Sequence, residues 1–335
     1  GLLHSFLWPA RPDCWRIPHS LPDSNPMSSS KDHTLGEQVA SEIKRTVRGS
    51  VTFDPVIRGI YSTDASHYQT TPQCVVEPLD EADVFAALRI ASRENLPVTP
   101  RGAATEFSGQ TFGSGMVLDT SRHLNKVLEV NTDEGWARVQ PGVVRDQLNA
   151  QLKATGLHFA PDPATSSRAT VGGMIGNNSS GTRSIVYGKT IDHTLSCRVA
   201  LATGEILELA VCDKEAWRDK TSLPGREGDL YQRVEQIITE NRDEILTRYP
   251  RVMRRVAGYN LDEFVDGAGY TGAIGPRAAI NSGKRPWSLS NLIVGSEGTL
   301  ATLLEAKIRL VPLPKATAVC VVHFDNEIAS LAAIP

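Results

Sequence analysis

From Pro161 to Gly181 the chain reads PDPATSSRATVGGMIGNNSSG, a run of small, hydroxyl-bearing and amide residues broken by glycine. No hydrophobic period runs through it. Gly172-Gly173 lets a backbone approach a ligand with no Cβ in the way. The Ser, Thr and Asn side chains and the freed N–H groups suit phosphate oxygens or a polar ring edge. The plain alternative is a long surface loop. A second segment, Arg101-Gly102-Ala103-Ala104-Thr105-Glu106-Phe107-Ser108-Gly109-Gln110, follows a strand-like run and sets small residues around a cation. That is a backbone-amide cradle for a diphosphate, with Thr105 and Ser108 as further donors, or else a polar inter-strand loop. It lacks the Gly-Lys-Ser/Thr ending of a Walker loop. No G-x-G-x-x-G strand–helix turn with a following acid occurs, which argues against a nicotinamide-dependent Rossmann enzyme. The third segment, Val294-Gly295-Ser296-Glu297-Gly298-Thr299-Leu300, reads as strand, tight turn and strand with one carboxylate between glycines, or as an ordinary hairpin turn.

Isolated residues carry less. His193, in Ile191-Asp192-His193-Thr194, is a weak catalytic candidate set against a surface or packing histidine, and His323 is weaker still. Arg251, Arg254 and Arg255 read as a solvated face rather than an anion clamp. No His/Asp/Glu cluster suggests a metal, and none is expected. The five cysteines (Cys14, Cys74, Cys197, Cys212, Cys320) are scattered without a CxxC, which argues against zinc or iron–sulfur ligation and fits a reducing, cytoplasmic compartment.

These residues need a framework to position them. The chain has 335 residues, 40% hydrophobic and 22% charged, enough for two domains or one large one. The net charge of −3 is spread without a basic, aromatic-interleaved patch, so nucleic acid is not an expected partner. No apolar run is long enough to span a bilayer, which leaves at most a peripheral membrane association. Residues 1–33, which precede or surround the first methionine, Met27, read as a disordered or non-native leader. After it, helix and strand signals alternate. Helices are expected over Leu35–Val47, after Asp80 with Ala82, Phe85, Leu88 and Ala91 inward, from Val144 to Leu152 with a stop at Gly156, and as one long element over Leu230–Leu246. Strands are expected at Cys74–Val76, Val98–Pro100, Met116–Asp119, Lys126–Val130, Trp136–Val139, Leu292–Val294, Leu300–Leu310 and Ala318–Phe324. A hairpin is expected from Leu195–Ala202 and Ile206–Val211. The Pro-, Gly- and Ala-rich sequence from Gly267 to Pro286 reads as a loop or insertion. The class is α+β or mixed α/β.

Taken in order and at these separations, RGAATEFSG, PDP…TVGGMIGNNSSG and LIVGSEGTL resemble the FAD-linked oxidases of the vanillyl-alcohol oxidase / para-cresol methylhydroxylase (PCMH-type) fold. The resemblance is to the glycolate oxidase, D-lactate dehydrogenase and D-2-hydroxyglutarate dehydrogenase branch. Val75-Val76-Glu77-Pro78, Tyr187-Gly188, Ala202-Thr203-Gly204-Glu205 and Gly258-Tyr259-Asn260-Leu261 support it, and it covers about residues 40 to 320. It implies an FAD-binding domain over 34–313, made of α/β subdomains at about 34–130 and 131–313, with a truncated substrate (cap) domain beginning at 314–335. It implies that Arg101, Gly102, Ala103, Ala104, Thr105, Glu106, Ser108, Gly109 and Gln110 wrap the diphosphate, mainly through main-chain N–H groups. Pro161, Asp162 and Thr165 would lie along the flavin, and Val171, Gly172, Gly173, Asn177, Asn178 and Gly181 would line diphosphate and ring. Tyr187 and Gly188 would close the pocket, and Glu297 would sit near the ribose or adenine end or hold the loop that does. Residues 101–110 hold neither His nor Cys, so the FAD is expected to be non-covalent. The implied reaction is hydride transfer from a small D-2-hydroxy acid to the flavin, with the base and substrate clamp in the cap domain. The electron acceptor would be a downstream iron–sulfur domain or a partner subunit. A related flavoenzyme acting on another alcohol or sugar, and a flavin-binding electron-transfer module, are the alternatives.

Overall fold

Cys74–Val76 and Met116–Leu118 are apolar without alternation, as strands covered on both faces must be. In the computed structural model, which describes residues 36–256, 258–268 and 287–334, these runs pair in parallel at the centre of the first sheet. That sheet contains β1 (Ser50–Thr52), β2 (Cys74–Glu77), β3 (Val98–Arg101) and β4 (Met116–Asp119) in the order β1-β2-β4-β3, with the β1 edge antiparallel. Helices α1 (Glu37–Thr46), α2 (Pro55–Ile60) and α3 (Glu81–Arg93) belong to this part. Asp80 caps α3 by accepting the N–H of Asp83. The buried face of α3 is Val84, Ala87, Leu88 and Ala91, while Ala82 is exposed. Asp83 accounts for this rotation, because its carboxylate turns inward to accept the N–H groups of Arg48, Gly49 and Leu79, each at 2.9 Å.

The second sheet is antiparallel and five-stranded. It comprises β5 (Val127–Asn131), β6 (Trp136–Val139), β8 (Thr194–Ala200), β9 (Ile206–Leu209) and β10 (Thr302–Arg309), ordered β5-β6-β10-β8-β9. Helix α4 (Arg145–Leu152) follows β6, and the pair β7 (Leu157–His158) and β11 (Val311–Pro312) lies outside the sheet. The chain changes sheets between Asp119 and Val127, so β5, which a division at residue 130 puts with the first part, pairs in the second. The first core gathers Ile43, Val84, Leu88, Met116 and Leu118, and the second Leu148, Phe159, Met174, Ile175 and Ile308. Ala200 of β8 and Leu304 of β10 pack into the first core, which joins the two parts.

Several expected elements differ. Leu230–Leu246 is two helices, Arg226–Glu240 and Arg242–Arg248. They break at Asn241, whose side chain bonds back to the carbonyl of Ile237 at 2.8 Å. The helix Lys214–Thr221, capped by Asp213, carried too little apolar pattern to be expected. Leu292–Val294 is no strand: Ser290–Ile293 forms a helical turn, anchored by Ser290 Oγ between the N–H of Cys197 and the carbonyl of Leu209. Ala318–Phe324 is irregular and exposed, with Val319 at 92%, because no described strand pairs with it. The leader and most of the expected insertion, residues 269–286, lie outside the described residues. Among the described residues no helix is long and apolar enough to cross a membrane.

Candidate functional site

A cavity of about 400 Å³ opens where the loop after β3 meets the 161–181 stretch and the turn before β10. All three glycine-rich segments contribute to its wall. β3 ends at Arg101, whose side chain curls back instead of pointing at a ligand. Its Nη1 donates to the carbonyls of Tyr61 (3.2 Å) and Thr111 (3.1 Å), and its Nη2 to that of Thr63 (2.9 Å). Burial lowers the guanidinium's pKa, and the Tyr61 ring lies 5.0 Å away. Tyr61 in turn donates its hydroxyl to Asp119 at 2.6 Å, and its phenol pKa is raised by burial first and then by that carboxylate. Past this clamp the loop presents the N–H groups of Ala103, Ala104 and Thr105, for which the described residues offer no acceptor. Ala104 sits at φ +55°, a conformation an L-residue adopts only when its surroundings impose it.

The 161–181 stretch is not irregular throughout. Val171–Asn177 is a short helix, α5, capped by Thr170 and buried through Val171, Met174 and Ile175. Glycine is a poor helix former. Gly172 and Gly102 are nonetheless required by contact: a Cβ on Gly172 would meet Pro141 Cβ at 2.6 Å, and one on Gly102 would meet Thr170 Oγ1 at 2.3 Å. Asn178 ends α5 in the left-handed region, fully buried, and accepts the N–H of Ile191 at 3.1 Å. The turn Gly295–Gly298 docks on that end, with Gly295 N donating to Ile175 O (2.9 Å) and Glu297 N to Gly176 O (3.0 Å). Gln110 Nε2 donates to Glu297 Oε1 at 2.8 Å, closing the wall between the first and third segments. Asn260 braces the turn from behind, donating to the carbonyls of Val294 (2.6 Å) and Asn291 (3.1 Å). Arg255 holds Asn260 at 3.0 Å and pairs with buried Asp262, so it belongs to this brace and not to a solvated basic face; Arg251 and Arg254 are exposed.

Of the residues singled out from sequence, Arg101 through Glu106, Gln110, Thr165, Gly172, Gly173, Asn177 and Glu297 line the cavity. The others stand behind or beside it. Ser108 is exposed, Gly109 packs on Tyr68 and Phe112, and Val171 and Asn178 are buried in the scaffold. Pro161 O accepts from Arg145 at 3.0 Å. Asp162 accepts from Thr182 and the Arg183 N–H, and Gly181 packs so closely on it that a Cβ would meet Asp162 O at 1.9 Å. Tyr187 stacks edge-on against His158, and Gly188 abuts Asp192. His193 does not line the cavity. It is 1% exposed, with Nε2 at 2.8 Å from Tyr187 O and Nδ1 at 3.4 Å from Arg309 O, and burial lowers its pKa, so it is a packing histidine. His323 lies in the exposed irregular segment. Thr170, Gly176, Ser179, Ser180 and Ser296 also line the cavity. The signal for Gly176 was present: with Gly172 it forms an i, i+4 pair on one helix face, legible once α5 is recognised as a helix.

Among the described residues the charged groups on the wall are Arg101, Glu106 and Glu297. Arg101 is committed to carbonyls, so an anion here would be held by main-chain N–H groups and hydroxyls. No group of three or more potential metal ligands occurs among the described residues. The volume is that of a small-molecule site.

Residues 72–210 match the family model described as an FAD binding domain. D-2-hydroxyglutarate dehydrogenase of Pantoea ananatis is 39% identical over 267 residues, 79% of this chain and 25% of that protein. Glycolate oxidase subunit GlcD of Bacillus subtilis is 28% identical over 285 residues, 84% of this chain and 46% of that protein. The fold resembles that of alkyldihydroxyacetonephosphate synthase, with a TM-score of 0.56 at 20% identity over 84% of this chain and 42% of that one. The chain spans about a quarter of the length of the D-2-hydroxyglutarate dehydrogenases it matches.

Proposed function

Because residues 72–210 of this chain are an FAD-binding domain of the PCMH-type family, we propose that the chain is the cofactor-holding part of a dehydrogenase that oxidises a D-2-hydroxy acid of the 2-hydroxyglutarate, lactate or glycolate kind. One observation supports this above the rest: three segments far apart in sequence enclose one cavity that pairs acceptor-free amides with a glycine-faced helix. The N–H groups of Ala103, Ala104 and Thr105 would hold the diphosphate, and the hydroxyls of Thr105, Ser179 and Ser180 would supply further donors. Gly173 and Gly176 would leave room for the flavin beside α5, while Gly172 makes room for Pro141. FAD held there would supply the hydride acceptor for oxidation of the carbon that bears the substrate hydroxyl, the hydroxyl proton passing to a base outside this cavity wall. The loop holds no His or Cys, so the cofactor is bound non-covalently. The domain extends to about residue 313, with the segment after it belonging to a substrate-binding cap. The electrons pass to an acceptor other than oxygen, an iron–sulfur domain or a partner subunit, in the cytoplasm or at the face of a membrane.

The test is spectroscopic. The purified chain should be yellow, with flavin absorbance that a denaturant releases into solution. Anaerobic mixing of flavin-loaded protein with D-2-hydroxyglutarate, D-lactate, glycolate and malate should bleach that absorbance with at least one of them. A colourless protein that takes up no FAD removes the proposal, and a yellow one that none of the acids bleaches removes its substrate class.

A further inference from the structure

The cavity wall has two chemically opposite regions. Ala103–Thr105 presents main-chain N–H donors for which the described residues offer no acceptor. Gln110 and Glu297 offer acceptors. The bond from Gln110 Nε2 to Glu297 Oε1 fixes the carboxamide, since the flipped amide would set its oxygen against a carboxylate. Gln110 Oε1 is then left buried with no donor among the described residues. The second carboxylate oxygen of Glu297 has no described donor either. Glu297 sits at φ +55° with its N–H bonded to Gly176 O, and the bond from Gln110 holds its carboxylate in place.

A buried acceptor left without a donor is destabilising, and a charged one more so. A diphosphate brings only acceptors and negative charge, and would add to that cost. We infer that Gln110 and Glu297 form an acceptor pair that reads an O–H or N–H donor of the bound FAD, which places Gln110 with the cofactor's sugar, base or ring and not with its diphosphate. The inference rests on the FAD reading above. FAD carries suitable donors at two places: hydroxyls and an amine on its adenosine half, and hydroxyls and a ring imide on its flavin half. Glu106, the other acid on this wall, spends one carboxylate oxygen on the N–H of Phe107 at 2.7 Å and has no such partner across the cavity.

The experiment uses the full 335-residue chain stripped of flavin, titrated with FAD and with FMN and followed by flavin fluorescence. Apo melting temperatures are recorded alongside. Glu297→Gln and Gln110→Met should each weaken FAD binding by about tenfold or more, the loss expected for a hydrogen bond to a charged or buried acceptor. The double variant should lose little more than the worse single one, because the residues act together. FMN binding that the variants leave unaffected, beside weakened FAD binding, supports the pair and assigns the donor to the adenosine half. An equal loss with FMN supports it and assigns the donor to the flavin half. FAD affinity within about twofold of wild type in both variants overturns the inference. So does a loss accompanied by a matching collapse of the apo melting temperature, since the pair would then merely hold the loops. Wild-type protein that binds neither flavin overturns the FAD reading itself, an outcome separate from failure of the variants alone.

Discussion

Asp83, inside α3, accepts the main-chain N–H of Gly49 at 2.9 Å from 34 residues along the chain. The same carboxylate also takes the N–H groups of Arg48 and Leu79, and the residue is 1% exposed. One side chain thereby fixes the entry to β1 and the exit from β2. Asp83→Ala strands these N–H groups, and urea unfolding should report a loss of about 3 kcal/mol or more. Asp83→Asn keeps one acceptor and should lose less. Equal, small losses in both variants would contradict this account.

Arg101 supports the cofactor loop through three carbonyls at 2.9–3.2 Å. A lysine offers one compact ammonium and cannot span them. Arg101→Lys should weaken FAD binding by about tenfold while shifting the melting temperature little, because the loop and not the core loses its anchor. FAD affinity equal to wild type would show that the clamp does not position the cradle.

The approach of Gly102 to Thr170 leaves no space for a methyl group. Gly102→Ala should therefore reduce FAD affinity strongly. Thr170→Ala removes the obstructing Oγ1 at the expense of the α5 cap, about 1 kcal/mol. Against a Thr170→Ala background the Gly102→Ala change should be much milder, a coupling that a double-mutant cycle of FAD dissociation constants measures directly.

His193 makes stability depend on pH. Burial lowers its folded pKa below 6.5, so the neutral ring is the form that folds. Above 6.5 both folded and unfolded states are neutral at this position and its contribution is at its maximum. As pH falls below 6.5 the unfolded chain takes up a proton first, and stability declines until the folded pKa is reached. His158, shifted the same way by burial, adds to the slope. Unfolding free energies between pH 7.5 and 5.5 should fall with acidity, and His193→Gln should flatten that dependence even if it lowers stability at every pH.

The helix after Asp80 and the strands of both sheets, apart from the edge strand β1 (Ser50–Thr52), were legible because cap, period and turn residues agreed. The three glycine-rich segments were legible as a set, though each alone was open to a plainer reading. What escaped is what tertiary packing decides. Val171–Asn177 is a helix against its own glycines because Val171, Met174 and Ile175 are drawn into the core. Leu292–Val294 looks like a strand by composition, but Ser290, bonded to Cys197 and Leu209, pins a helical turn there. The roles of Arg101 and of His193, both spent on main-chain carbonyls, depend on partners between 6 and 116 residues away. Neither partner set leaves a mark in the local sequence.

β10 lies between β6 and β8 although it follows both, and the turn that carries Glu297 arrives just before it. During synthesis the first sheet, complete by Asp119, can form while the rest of the chain is still being made. The second sheet cannot: until Thr302–Arg309 emerges, β6 and β8 face each other across an empty lane, with their edges open. The cofactor wall is finished by the same late insertion. One late segment therefore completes both the sheet and the wall, and until it is in place β6 and β8 lack the strand that each pairs with on this side.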